Sequence, residues 1–271
     1  MPTKPTIVFF HAHPDDESSQ TSGSMARASA EGSRVVVVYA TNGDHGEAPA
    51  DLAPGETVVM RRRKEAEESA AATGTARVAW LGYADSGMTG WEQNSAAESF
   101  HLADTDEAAR RLADLLDEED ADILVGYDWH GNYGHPDHIK VHHVGHRAAE
   151  LATRRPRVLE GTMNRSMFQR MYELAAAAGM AGDWDPNQLG DDGQPMGTPE
   201  EEITWRVDVT AYLPQRRASL EAHASQTSDV GQMLAIPEPA FTMMFGHEHY
   251  LEPGLESDGM RDGWPFGDAP A

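Results

Sequence analysis

Cysteine is absent from the 271-residue chain, which removes disulfides, thiolate nucleophiles and cysteine-bound zinc at once. Any metal must therefore sit on histidine and carboxylate. Positive charge is scarce as well: 21 Lys and Arg against 45 Asp and Glu give a formal charge of −24, which repels phosphate backbones and anionic lipid headgroups. Neither nucleic acid nor a membrane is an expected partner. Long hydrophobic runs are missing too; Ile7–Phe10 is the longest near the start, and no later stretch approaches the ~20 residues needed to cross a bilayer. With no basic and apolar leader, a cytoplasmic location is expected.

What is present is a repeating alternation. Short β-branched runs at Thr6–Phe10, Arg34–Ala40, Arg77–Leu81 and Asp122–Tyr127 are separated by helical stretches at Ser18–Glu31, Val58–Thr73, Asp106–Glu118 and Pro136–Thr153. This pattern predicts an α/β fold: a Rossmann-like, mostly parallel sheet flanked by helices. A fifth strand at Arg157–Gly161, a helix at Arg165–Ala178, a loop at Asp183–Glu200, a strand at Glu202–Val209 and a helix at Tyr212–Ser225 follow. The expected organisation is a metal-binding catalytic core over 1–163, a smaller α/β C-terminal lobe over 164–257 completing the pocket, and a poorly ordered tail over 258–271.

Two strand-to-helix turns concentrate the chemistry. His11–Glu17 (HAHPDDE) follows the first strand, and Tyr127–His138 (YDWHGNYGHPDH) follows the fourth. In an open parallel sheet such turns lie along the carboxyl edge, where ligands bind. A lone histidine near a strand end is more often a packed or surface residue, but two His–Asp clusters at two strand ends change the balance. His13, Asp16 and His138 form a two-His, one-carboxylate set, and three protein ligands leave room for a water made acidic by the ion. Asp15 is then placed as general base, His135 as oxyanion donor and acid, and Asp137 as a carboxylate that orients an imidazole. His138, His142 and His146 share a helical face, and only His138 is expected at the sheet edge; His142, His143 and His146 are read as packing or surface residues.

At these residues the chain resembles the LmbE-like, or PIG-L, deacetylase family, through the unbroken motifs AHPDDE at Ala12–Glu17 and HPDH at His135–His138. Asn42–Glu47 is similar to the family's glycine-acid loop, and Asp85–Met88 resembles a DSGM loop of its actinobacterial thiol-sugar branch. The resemblance implies a Rossmann-like hydrolase that cleaves the N-acyl bond, expected to be N-acetyl, of a glucosamine-type conjugate. It implies zinc, with ferrous iron as the alternative native metal, on His13, Asp16 and His138. It further implies Asp15 as base, His135 as the transition-state histidine, Tyr133 as a carbonyl-polarising group, and Glu47, Arg62 and Asp85 as substrate contacts. Trp129, His130 and Asn132 depart from the branch pattern and are expected to crowd the pocket mouth. His223–Gln226 resembles an HxSQ segment of the amidase-like members, whose task the sequence leaves open.

A dinucleotide oxidoreductase is disfavoured because the first turn carries two carboxylates where a pyrophosphate needs glycine-exposed amides. An amidase for a larger thiol-sugar S-conjugate and a non-catalytic metal- or sugar-binding module remain as alternatives to the deacetylase.

Overall fold

The computed structural model describes residues 4–177, 185, 187–255 and 259–267. One eight-stranded sheet organises them. Its strands are β1 (Thr6–His11), β2 (Arg34–Thr41), β3 (Arg77–Tyr83), β4 (Ile123–Tyr127), β5 (Arg157–Thr162), β6 (Trp205–Asp208), β7 (His247–Leu251) and β8 (Arg261–Asp262). The order is β3-β2-β1-β4-β5-β7-β6-β8. The first five strands are parallel, and β7 runs antiparallel to both β5 and β6.

Alternation along the strands sorts side chains into two layers. Val8, Phe10, Val36 and Val38 pack on one face against Leu112 and Leu116 of α4 (Thr105–Glu118) and Val141 and Val144 of α5 (Pro136–Leu151). Ile7, Phe9, Val35 and Val37 pack on the other against Met25 of α2 (Ser22–Ala30) and Ala66 of α3 (Val58–Thr73). Covered on both faces, β1 and β2 read as continuous apolar runs, as central parallel strands do. The helices carry local start and stop signals. Thr57 caps α3 by accepting from the Met60 N–H, and Gly74 ends it at φ 72°. Beyond β5 lie α6 (Arg165–Ala177), α7 (Leu213–Ala222), α8 (Asp229–Leu234) and α9 (Glu238–Phe245). None of the helices among the described residues is long and apolar enough to cross a membrane.

Three departures from the sequence reading have physical causes. The helix expected over Ser18–Glu31 is two helices, α1 (Asp16–Gln20) and α2, broken at Thr21. Thr21 leaves helical geometry at φ −132° while its hydroxyl meets His11 Nε2 at 2.9 Å. Strand β7 was not anticipated, because its His247-Glu248-His249 start hides a buried strand whose Glu248 is bonded internally to the Gly23 and Ser24 amides. The tail expected from 258 is ordered over 259–267: β8 pairs with β6, and Phe266 is buried against Phe9 and Tyr250. Its aromatic residues supply the apolar area that its Gly, Pro and Asp content concealed; residues 258 and 268–271 lie outside the described residues, as do Ala178 and 183–184 and 186 of the expected loop.

Candidate active site

Strand order explains why two distant motifs meet. β1 and β4 are hydrogen-bonded neighbours, and the chain winds outward from them in opposite directions, so the crevice at their carboxyl ends is the switch point of the sheet. His13 comes from the turn after β1, Asp16 begins α1, and His138 lies in the first turn of α5. His13 Nδ1 stands 3.4 Å from Asp16 Oδ2, and His138 Nε2 stands 3.3 Å from Asp16 Oδ1. The two imidazole rings are 5.4 Å apart.

Hydrogen bonds orient both rings. The Gly131 carbonyl, 3.2 Å away, accepts from His138 Nδ1, leaving Nε2 as the lone-pair nitrogen on the Asp16 side. His13 Nε2 faces Asp137 Oδ2 at 3.2 Å and Asp85 Oδ1 at 3.4 Å, which leaves Nδ1 towards Asp16. Asp137 is itself fixed by the Ser86 amide (2.9 Å) and hydroxyl (2.5 Å). Gly131, at φ 64°, is required here: a Cβ would lie 2.2 Å from His138 Cβ.

The electrostatics follow from burying Asp15, Asp16, Asp85 and Asp137 together. Burial works against charge on His13, but Asp85, Asp137 and Asp16 outweigh it and hold that ring well above its usual value. Burial likewise opposes the Asp16 charge, yet His138 and His13 keep its carboxyl well below the carboxylate range. Such a donor set suits a divalent ion: two imidazoles held in place by hydrogen bonds, a carboxylate between them, and surrounding negative charge for a cation to neutralise. His13, His135 and His138 also bring one nitrogen each within 4.8 Å of one another, as His13, Asp85 and Asp137 bring their ligand atoms.

His135 is the N-cap of α5. Its Nδ1 accepts the Asp137 N–H at 3.1 Å, so the proton of the neutral ring resides on Nε2. Burial, reinforced by His13 and His138, pushes its pKa down to about 3. The ring is a neutral donor at physiological pH. Tyr133 places its hydroxyl 3.5 Å from His138 Nε2.

Asp15 holds the one unusual backbone in the first turn, φ 119° and ψ −28°, a strain of ~1–3 kcal/mol that neighbours must sustain. Its N–H donates to Glu17 Oε2 at 3.0 Å, and its carbonyl accepts from the Ser18 amide (2.9 Å) and hydroxyl (2.6 Å). Burial pushes its carboxyl up to about 6, with Arg62 pulling the other way from 3.0 Å. A fifth of the side chain stays exposed, so the group is within reach of a substrate.

The outer positions are each engaged by partners within the chain. Arg62 is neither on the solvated face that a basic run suggests nor open to an aglycone; it is buried and donates to the Gly43 and Pro14 carbonyls beside Asp15. Glu47 has its carboxylate engaged by the Thr227 amide and hydroxyl and the Ser228 amide. Asp85 is buried beside His13 and accepts from the Gly87 amide. Of the residues expected at the pocket mouth, Trp129 is 58% exposed, whereas His130 and Asn132 are buried. Asn132 ties its loop down by donating to Gln20 and accepting from the Met163 amide.

A buried support went unassigned in the sequence. Glu17 Oε1 accepts from Ser69 Oγ at 2.5 Å and meets His223 Nε2 at 2.6 Å. Ser225 donates to Glu65 through its amide and hydroxyl, and Gln226 Oε1 accepts from the Glu47 amide. The HxSQ segment thus latches three acidic residues carried by the turns and helix behind the site. The clue available was Glu17, the last residue of AHPDDE, which has no ligand task of its own.

Comparison with known proteins identifies the family. Residues 8–149 match the model of the PIG-L family, described as GlcNAc-PI de-N-acetylase. The chain belongs to the PIG-L family. A 1D-myo-inositol 2-acetamido-2-deoxy-alpha-D-glucopyranoside deacetylase of Thermobispora bispora is 36% identical over 260 residues, spanning 89% of this PIG-L chain and 83% of the relative. The enzyme of the same name from Thermomonospora curvata is 34% identical over 292 residues, spanning 95% and 93%. In fold, N,N'-diacetylchitobiose deacetylase from Pyrococcus horikoshii superposes with a TM-score of 0.57 at 21% identity, covering 91% of this PIG-L chain and 82% of that one.

Proposed function

We propose that this chain hydrolyses the N-acetyl amide of a glucosaminyl conjugate of the inositol type, with His13, Asp16 and His138 holding a divalent metal, zinc or ferrous iron. The observation that carries the reading is that the turns bringing those ligands together also carry Asp15, a strained carboxylate tuned to about 6, and His135, a neutral Nε2–H donor whose ring lies 4.7 Å from that of His13. The names of the two actinobacterial relatives support the substrate class. A bound ion there would polarise the acyl carbonyl and acidify water.

The chain's own groups supply the proton traffic. Asp15, mostly ionised at neutral pH, takes a proton from water as the remaining hydroxide adds to the acyl carbon. His135 Nε2–H, and the Tyr133 hydroxyl near His138, donate to the oxygen that becomes negative. The C–N bond then breaks, and the proton held by Asp15 goes to the departing nitrogen, giving a free amine and acetic acid, whose proton passes to solvent. Asp137 keeps the His13 ring aligned, and Arg62 keeps the Asp15 carboxylate aimed. Incubation with N-acetylglucosaminyl-inositol, N-acetylglucosamine and an S-conjugated thiol sugar, each with and without chelator, tests the reading through released amine. Chelator-sensitive amine from the first substrate is the expected result; amine from the S-conjugate alone overturns the substrate in favour of an amidase, and none from any overturns the enzyme.

A further inference from the structure

We propose a second divalent transition-metal site, built by His142 and His146 of α5 with Glu160 of β5, outside the catalytic crevice. Two histidines four apart on a helix present their rings to one ion, and here the ring centroids are 4.5 Å apart. Glu160 enters from a different element: its Oε1 lies 2.6 Å from His146 Nε2 and 3.4 Å from His142 Nδ1. One ligand atom from each residue lies within 4.8 Å of the others. A tetrahedral ion with bonds of ~2.0–2.1 Å has ligand–ligand edges of about 3.3 Å. The His142–Glu160 separation already matches that edge, and the His146–Glu160 hydrogen bond has to open by about 0.7 Å to match it.

The surroundings favour an ion over a simple hydrogen-bonded cluster. The side chain of Glu160 is only 10% exposed, and the groups facing its Oε1 are two imidazoles, which are neutral when unprotonated. In the ion-free protein the Tyr127 carbonyl, 3.1 Å away, accepts from His142 Nδ1–H, so ligation through Nδ1 gives up that hydrogen bond and moves the proton to Nε2 or to solvent. His146 is one-third exposed, which gives an ion access from solvent. Two nitrogen donors select zinc, nickel, copper or cobalt over magnesium and calcium. The site is separate from the crevice: His142 and His146 sit one and two turns beyond His138, ~6 and ~12 Å along the axis. Tyr127 lies between the two, its ring 4.7 Å from that of His138 and its carbonyl at His142.

Titration of chelator-stripped protein with Co2+ alone, followed by visible absorption and by equilibrium dialysis, tests the site without reference to turnover. Wild type is expected to bind two ions per chain. His146→Gln keeps a hydrogen-bond donor for Glu160 but no imidazole, and is expected to bind one, as is Glu160→Gln. His13→Ala with His138→Ala is expected to retain the outer ion, with proton release on binding because imidazole must be unprotonated to ligate. The proposal is overturned if His146→Gln and Glu160→Gln both leave the Co2+ stoichiometry and spectrum of wild type unchanged. A failure of the inner ligand set instead shows as one ion per wild-type chain, lost with His146→Gln and kept with His13→Ala, so the two outcomes are distinguishable.

Discussion

Replacing His223 by alanine is expected to weaken folding and catalysis together, and the first effect can be sized from Glu17. Both residues are buried, and their side chains meet at 2.6 Å. Burial alone would raise the Glu17 carboxyl, yet His223, helped by Ser69, carries it down from 4.5 to about 2. At 1.36 kcal/mol per pH unit this is about 3 kcal/mol of native preference for the charged form. Removing one partner of a buried pair costs ~3–5 kcal/mol, a consistent size. Because the folded value lies below the unfolded one, this stabilisation is complete above about pH 4.5 and fades as pH falls towards 2. Urea unfolding at pH 7 should therefore show His223→Ala less stable by about 3 kcal/mol, with a flatter acid limb. His223→Gln, which keeps an N–H donor, should recover about 1 kcal/mol. The catalytic effect runs through the Asp15 amide, which Glu17 Oε2 holds at 3.0 Å in its strained conformation. With that hold loosened, kcat should fall roughly ten- to hundredfold, ~1.4–2.7 kcal/mol, with KM little changed. A His223→Ala protein with the wild-type unfolding midpoint at pH 7 would refute the reasoning.

Four further outcomes are expected. His135→Ala should retain bound metal, measured by elemental analysis, while losing turnover by ~10²–10³-fold, the cost of one oxyanion donor. His13→Ala, Asp16→Ala and His138→Ala should each lower metal content, and full occupancy in all three rejects the ligand set. His249, buried in β7, has its pKa lowered from 6.5 to about 4 by burial and then by His247 and Arg206. Its contribution, up to about 3 kcal/mol, is present above pH 6.5 and lost as pH falls through 4, so His249→Phe should flatten stability over that window in thermal scans. Gly131→Ala should depress metal content and the melting temperature together, because the new methyl meets the His138 side chain at a backbone φ of 64°.

The parts of this molecule that were legible in the sequence are those where one signal dominates. β1, β2 and α3 declare themselves through β-branched runs and a helical period with a threonine at one end and a glycine at the other. The two turns of the candidate site were legible because His, Pro and Asp crowd two strand ends. What stayed hidden depends on partners remote in sequence. Glu248 in β7 looks like a surface residue until Gly23, Ser24 and Arg216 are brought to it. Arg62 looks solvated until the Gly43 and Pro14 carbonyls close over it. The break at Thr21 depends on His11, ten residues earlier and on another element. In each case a polar side chain is buried because a specific acceptor or donor waits for it, and neither period nor propensity encodes that partner.

The latch behind Asp15 separates what identifies this protein from what tunes it. The family model spans residues 8–149, whereas the imidazole that steadies Glu17 is contributed by residue 223. Changes around 223–228 can therefore alter the rigidity of the Asp15 turn while leaving the AHPDDE and HPDH motifs untouched.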